Sequence, residues 1–224
     1  MEKLVSVLMS VHNNKDTVID SVQSILNQSY KNYEFLIMDD CSTDNTFELL
    51  NTFNDVRIRL FKNDKNIGLT KSLNILIQES KGEILARQDG DDVSFPKRIE
   101  KQIDYLSRKK LQACTSRAVL TNNKRKIPKF SHLLPNSFVI KYKNPFIHGT
   151  LMIKKSLLIE IGLYDERFIY AQDYQLFKKI LDKNIKVGLI REPLYKLNME
   201  NNISSIKKNE QKYYADCVRL NKSP

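Results

Sequence analysis

The chain's densest chemistry lies in residues 86–92, ARQDGDD, where Asp89, Asp91 and Asp92 crowd three carboxylates into four positions directly after the strand-like run 83–86. Like charges at that spacing repel one another. They fit a cation held among the oxygens, and hard divalent ions such as Mg²⁺ or Mn²⁺ take carboxylates together with substrate phosphates. A solvated acidic turn is the competing account, because Asp and Gly are also what a strand-to-helix turn prefers. A second cluster, MDDCSTD at 38–44, carries Asp39, Asp40 and Asp44. A carboxylate at a strand end can accept from a base N–H or a ribose hydroxyl, whereas a helix cap would ask for one acid rather than three. In YAQDYQLF, 170–177, Asp173 stands at the start of a predicted helix. It reads either as an N-cap or as a general base. A carboxylate of ordinary pKa near 4 is adequate as a base once the hydroxyl it faces is already bonding to an electron-poor carbon.

The elements that must position these groups alternate regularly through the first half. Residues 4–11 form a β-branched run suited to a strand buried on both faces, and 17–26 place Val18, Val22, Ile25 and Leu26 at helical spacing. Strand patterns follow at 33–38, 58–61 and 83–88. Between and after them come a short helix at 44–53, with Ser42 or Asp44 to cap it, a helix opening at Gly68, and another after Pro96. This βαβαβαβα order predicts an α/β fold whose mostly parallel sheet gathers ligands at the carboxyl ends of its strands. The first two acidic clusters fall at such ends. Beyond residue 113 the order loosens into a strand at 113–120, a basic, proline-broken loop over 121–145, a strand at 150–153, helices at 155–161 and 173–181, and a strand at 185–190. A loop that long suits a lid or a docking surface.

Composition excludes several classes. With 224 residues and 41% hydrophobic content the chain can bury a substantial core. No apolar run approaches the length of about 18 residues that spans a bilayer, and no cleavable signal pattern opens the chain, so a cytoplasmic location is expected. Cys41, Cys114 and Cys217 are odd in number and form no CxxC pair, which suits a reducing compartment and argues against zinc. The net charge of +11 is concentrated in residues 97–143, which hold 13 Lys or Arg against Glu100 and Asp104. Such a patch suits nucleic acid, anionic lipid or a phosphorylated substrate, or serves as a solubilising face. Gly68, Lys71 and Ser72 lack the glycine spacing of a phosphate loop, and no GxGxxG follows the first strand. With only His12, His132 and His148 present, no serine or cysteine nucleophile has an evident base.

Five strings in order, SVLMSVHNN, SILNQSYKNYEFLIMDDCSTDNT, NIGLTKSLN, GEILARQDGDD and AQDYQLF, resemble the successive motifs of the family 2 inverting glycosyltransferases over roughly residues 4–195. The resemblance implies a GT-A fold, a Rossmann-like, mostly parallel sheet flanked by helices with an irregular acceptor-side C-terminal half. It implies one domain over 1–197, divided into a nucleotide-sugar half (1–112) and an acceptor half (113–197), followed by a helical tail, 198–224. By position, Asp89 and Asp91 would hold Mn²⁺ or Mg²⁺, Asp92 would support their loop, and Asp173 would be the catalytic base. Val11, His12 and Asn13 would line the nucleoside pocket. Asp40 would contact a uracil-like base with Asp39 beside it, while Lys71, Arg87, Asp89 and Gly90 would lie near the donor phosphates. His148 and Gln172 would border the acceptor. The chain departs from the family pattern at Ser10 and His12, where proline and tyrosine are usual, at Cys41 in place of glycine, and at Gln172 in place of glutamate.

The implied activity is inverting transfer from a nucleotide-diphospho-sugar, with a UDP-sugar expected, to a glycan or lipid-linked acceptor in surface polysaccharide, lipopolysaccharide or glycolipid synthesis. Peripheral association with the anionic inner face of the cell membrane is expected from the basic patch. The tail is left open between a packed helix, a homodimer contact and a membrane contact. The competing reading, a non-catalytic binder of nucleic acid or anionic surfaces through 97–143, explains the charge. It leaves the acidic clusters repelling phosphate, which disfavours nucleic acid.

Overall fold

The computed structural model describes residues 2–128, 134–199 and 207–224. Strand β1 (Val5–Val11) is central, flanked in parallel by β2 (Tyr33–Asp39) and β4 (Ile84–Asp89), with β3 (Ile58–Lys62) beyond β2. Helices α1 (Val18–Leu26), α2 (Thr46–Asn51) and α3 (Leu69–Glu79) make the crossovers. The first two strands are apolar on both faces and split their side chains between two cores. Val5, Val7, Met9, Phe35 and Ile37 pack with α1 and with α4 (Arg98–Lys109). Leu8, Leu36 and Met38 face the opposite layer, formed by α3, α6 (Lys155–Glu160), α7 (Gln172–Asp182) and α8 (Lys208–Arg219).

Register is what places the chemistry. Val11 pairs with Asp39 and Ser10 with Asp89, so two acidic strand ends stand either side of the end of β1. The sheet then turns antiparallel: β8 (Met152–Lys154) pairs β4, and β6 (Ala113–Leu120) pairs β8. β9 (Val187–Leu197) lies parallel to β6, and β5 (Val93–Ser94) pairs β9.

Three elements differ from the sequence pattern. The strand expected at 185–190 runs on to Leu197, past Pro193, because a register irregularity around Arg117 absorbs the proline. The stretch 121–145 is not wholly loop: β7 (Lys126–Ile127) folds back on β6, and α5 (Asn136–Val139) buries Val139. Its residues 129–133, with His132, lie outside the described residues. Arg98, counted above with the basic patch, is fully buried and cannot contribute to a surface.

That guanidinium organises the centre of the molecule. It donates to Gln88 Oε1 (3.1 Å), Ser94 Oγ (2.7 Å), Gln102 Oε1 (3.1 Å) and the Arg87 carbonyl, and it lies 5.1 Å from the Tyr195 ring centroid. Removing it strands several buried acceptors at once. Arg98→Ala is expected to cost about 3–5 kcal/mol in urea unfolding. Arg98→Lys should recover little of that loss, because an ammonium cannot reproduce the planar fork.

Candidate active site

The site begins at the carboxyl ends of β1 and β2. Asn13, at φ 55°, turns the chain so that its amide donates to Ser42 Oγ (3.0 Å) and its Oδ1 accepts from Thr43 N (2.8 Å). His12 Nδ1 lies 3.0 Å from the Asp40 carbonyl. The segments 11–14 and 40–46 are thereby one stitched wall. Within it the two aspartates differ. Asp40 accepts from Asn63 Nδ2 (2.8 Å), Ile67 N (2.9 Å) and Gly68 N (2.8 Å), so its carboxylate is spent on the β3–α3 connection. Asp39 accepts from Ser42 N through Oδ2, while its buried Oδ1 has no partner among the described residues. Cys41 sits at φ 58°, the left-handed region that favours the glycine usual there. Asp44, rather than acting as the N-cap, accepts from Thr46 N (3.0 Å) and Thr46 Oγ1 in the first turn of α2.

At the end of β4 the acidic loop is held from below. Arg87 is 4% exposed and donates to the Leu8 carbonyl (3.0 Å), to the Gln88 carbonyl and to Asp89 Oδ1 (2.6 Å). Its charge steadies Asp89 from beneath the sheet. Lys71 stands exposed in the first turn of α3. Gly90 is required by closeness: a Cβ there would meet Val11 Cγ1 at 2.5 Å. Asp92 is buried and accepts from Asn198 N (2.7 Å) and from Tyr195, which ties the loop to the end of β9. Burial and then the charges of Asp89 and Asp91 hold its carboxyl well above the usual range. Asp91 is half-buried, and burial followed by the Asp89 charge pushes it up to about 6.

That pair suits a hard cation. Asp89 keeps Oδ2 apart from Arg87, and among the described residues the Asp91 carboxylate accepts from its own backbone alone. Among the described residues no three His, Cys, Asp or Glu side chains converge as a closed cage. Two like-charged oxygen donors with the rest of the shell left to phosphate and water match how Mg²⁺ and Mn²⁺ are held beside a diphosphate.

The C-terminal half closes on the same space. His148 begins a 3₁₀ turn, His148–Thr150, and its Nε2 lies 2.7 Å from the Tyr164 hydroxyl. Burial and Arg87 lower the His148 pKa, while Asp173 and Asp89 act on it in the opposite sense. Asp173 is not the N-cap of α7: that position is Ala171, and Asp173 follows Gln172 in the first turn. Its Oδ2 accepts from Asn144 Nδ2 at 2.7 Å. Gly149 packs so tightly that a Cβ would lie 2.5 Å from Asp89 Oδ2 and 2.6 Å from the Tyr195 hydroxyl.

Residues 6–179 match the family model "Glycosyl transferase family 2". The chain belongs to that family. The putative glycosyltransferase EpsE of Bacillus subtilis is 32% identical to it over 200 residues, 86% of this chain and 72% of the relative. The Escherichia coli UDP-Glc:alpha-D-GlcNAc-diphosphoundecaprenol beta-1,3-glucosyltransferase WfaP is 31% identical over 190 residues, 82% and 72% of the two chains. Among solved structures, the mannosyltransferase PcManGT of Pyrobaculum calidifontis, in complex with GDP-Man and Mn²⁺, superposes with a TM-score of 0.75 at 20% identity. That match covers 98% of this chain but only 65% of the larger one, and it supports the GT-A fold.

Three residues of this glycosyltransferase's site carry no motif signal. Gln88 bonds Ser21, Ser94 and Arg98 beneath the acidic loop. Tyr195 accepts from Asp89 N at 3.0 Å from a strand more than a hundred residues away, and Asn144 comes from the proline-broken stretch. Gly149 offers the sharpest test of this packing. Gly149→Ala, which pushes a methyl into Asp89 and Tyr195, should lower kcat/KM roughly 10²-fold, because displacement of about 1 Å at a reacting centre has that effect. Circular dichroism and melting should stay close to wild type.

Proposed function

We propose that the protein is an inverting, metal-dependent glycosyltransferase that moves a sugar from a nucleotide-diphospho-sugar, a UDP-sugar in our reading, to a hydroxyl of a lipid-linked glycan acceptor in surface polysaccharide or glycolipid synthesis. The observation that carries this reading is the placement of Asp39 and Asp89 at strand ends on either side of the end of β1, with Gly149, next to His148, packed against the Asp89 carboxylate. The donor and acceptor named for WfaP support the UDP-sugar and the lipid-linked acceptor. The Mn²⁺ in PcManGT supports the metal. The basic surface of 97–143 supports peripheral attachment to the inner face of a membrane, and no helix among the described residues is long and apolar enough to cross one.

The donor's nucleoside lies against the wall of residues 11–14 and 39–42, and the unpaired Asp39 Oδ1 accepts from its polar edge. Asp40, though adjacent, acts by fixing the β3–α3 connection. Asp89 and Asp91 would hold a divalent cation that offsets charge on the departing diphosphate. Asp173, oriented by Asn144, takes the proton of the acceptor hydroxyl as that oxygen bonds to the anomeric carbon. The bond from that carbon to the donor phosphate oxygen breaks in the same displacement, which inverts the configuration. His148 and Tyr164 flank the approach.

Two substitutions separate these roles. Asp173→Asn should reduce turnover at least 10³-fold while nucleotide-sugar affinity, measured by calorimetry with Mn²⁺, changes less than about threefold. Loss of donor binding in that variant would contradict the division of labour. Asp91→Ala should instead abolish the Mn²⁺-dependent thermal shift given by nucleotide sugar, as should chelation of the wild type by EDTA. A wild type that keeps full activity in EDTA overturns the metal assignment.

A further inference from the structure

One surface segment turns apolar side chains outward. Leu134, Phe138 and Tyr142 recur at intervals of four and are 53%, 51% and 61% exposed. The two rings lie 5.3 Å apart. Bonds from Val139 N to the Pro135 carbonyl, Ile140 N to Asn136 and Lys143 N to Val139 wind this stretch into almost two helical turns. Its inner face is fully used, since Val139 and Ile140 are buried and the Tyr174 hydroxyl donates to the Ile140 carbonyl. Packing therefore accounts for the inward residues and leaves the outward three unexplained. Single exposed apolar residues are ordinary, but Phe138 and Tyr142 in ring contact one turn apart, with exposed Leu134 just ahead of the helix, form a cluster that marks an interaction surface.

Charge identifies what the row meets. Lys141 and Lys143 stand exposed on either side of Tyr142, and residues 134–144 contain no acid. Arg219, at the end of α8, donates to the Tyr142 carbonyl, and the adjacent Leu220 is 63% exposed, so the apolar and basic edge continues onto the C-terminal helix. We propose that this face seats the protein on an anionic lipid bilayer. Leu134, Phe138 and Tyr142 enter the boundary between headgroups and acyl chains, and the lysines meet lipid phosphates. A second copy meeting the same face would set lysines against lysines; an anionic bilayer draws them in.

The surface adjoins the chemistry. Asn144, two residues past Tyr142, donates to Asp173 at 2.7 Å, so the base is held by the end of the segment that carries the anchors. Under the transferase reading above, on which this point rests, an acceptor sugar can reach Asp173 while its lipid stays in the membrane.

The test is co-sedimentation of the full chain with vesicles of equal parts phosphatidylglycerol and phosphatidylcholine, beside vesicles of phosphatidylcholine alone. Wild type should bind the anionic vesicles and be released by salt. The double variant Phe138→Ser/Tyr142→Ser should lose roughly tenfold in partitioning, and Lys141→Gln/Lys143→Gln should bind less with a flatter salt dependence. Thermal melting reports whether each variant is folded. The assignment is overturned if wild type fails to bind anionic vesicles, or if the folded variants bind as wild type does. It is overturned equally by a wild-type dimer that the Phe138/Tyr142 variant renders monomeric, without vesicle binding. Nucleotide-sugar binding on the same samples separates the two readings: vesicle binding without donor binding defeats the transferase reading and supports the surface, and donor binding without vesicle binding does the reverse.

Discussion

Three carboxylates in four residues must be kept close against their mutual repulsion, and two buried guanidinium groups do this. Arg87 binds Asp89 from beneath while anchoring to the Leu8 carbonyl of the central strand. Arg98 in turn grips the Arg87 carbonyl and stacks on Tyr195, whose hydroxyl accepts from Asp89 N. Burying charge is costly unless every partner is in place, so this network tolerates one geometry and imposes it on the loop. The raised pKa of Asp92 belongs to the same solution: a retained proton removes one negative charge from the cluster.

The two halves of the molecule share more than a sheet. Helix α3, one of the crossovers of the N-terminal half, donates from Asn74 to the Tyr164 carbonyl and from Thr70 to the Phe168 carbonyl. Tyr164, which lies 2.7 Å from His148, is therefore positioned by the N-terminal half, which carries the wall of residues 11–14 and 40–46. The antiparallel strand β8 makes the second join, pairing β4 directly after the 3₁₀ turn that contains His148 and Gly149. The groups proposed to meet donor and acceptor are thus fixed relative to one another by short connections.

Much of this was legible in the sequence because the first half repeats a simple rule. Apolar runs at strand spacing alternate with helical stripes, and acids at the strand ends mark the ligand side, so β1 to α4 and the two acidic clusters could be located. What stayed hidden depended on long-range packing. Arg98 reads as one more surface cation until the fold encloses it, and nothing local distinguishes Gln88 or Tyr195. Asp39 and Asp40 are chemically identical neighbours, and only the β3–α3 connection, returning to Asp40, gives them different duties. The strand pattern stopped at 190 because β9 itself carries the irregularity there, with extra residues around Pro193 set against consecutive residues of β6, and only that pairing shows the strand resuming. The resemblance indicated Asp173, while its partner Asn144 sits in a stretch without a pattern.

The left-handed residue in the wall at the end of β2 bears on reactivity. Cys41 is the one cysteine of the three that is not buried, and Cys114 is enclosed with its thiol pushed up to about 12 by burial. Cys41 lies between Asp40 and Ser42, both of which bond into the wall proposed to hold the nucleoside. Where relatives of the usual pattern carry only a hydrogen, this chain carries a nucleophilic sulfur. A thiol-directed electrophile at Cys41 would therefore attach beside the wall proposed to hold the nucleoside, which makes that proposed pocket addressable by covalent labelling in a way a glycine would not permit.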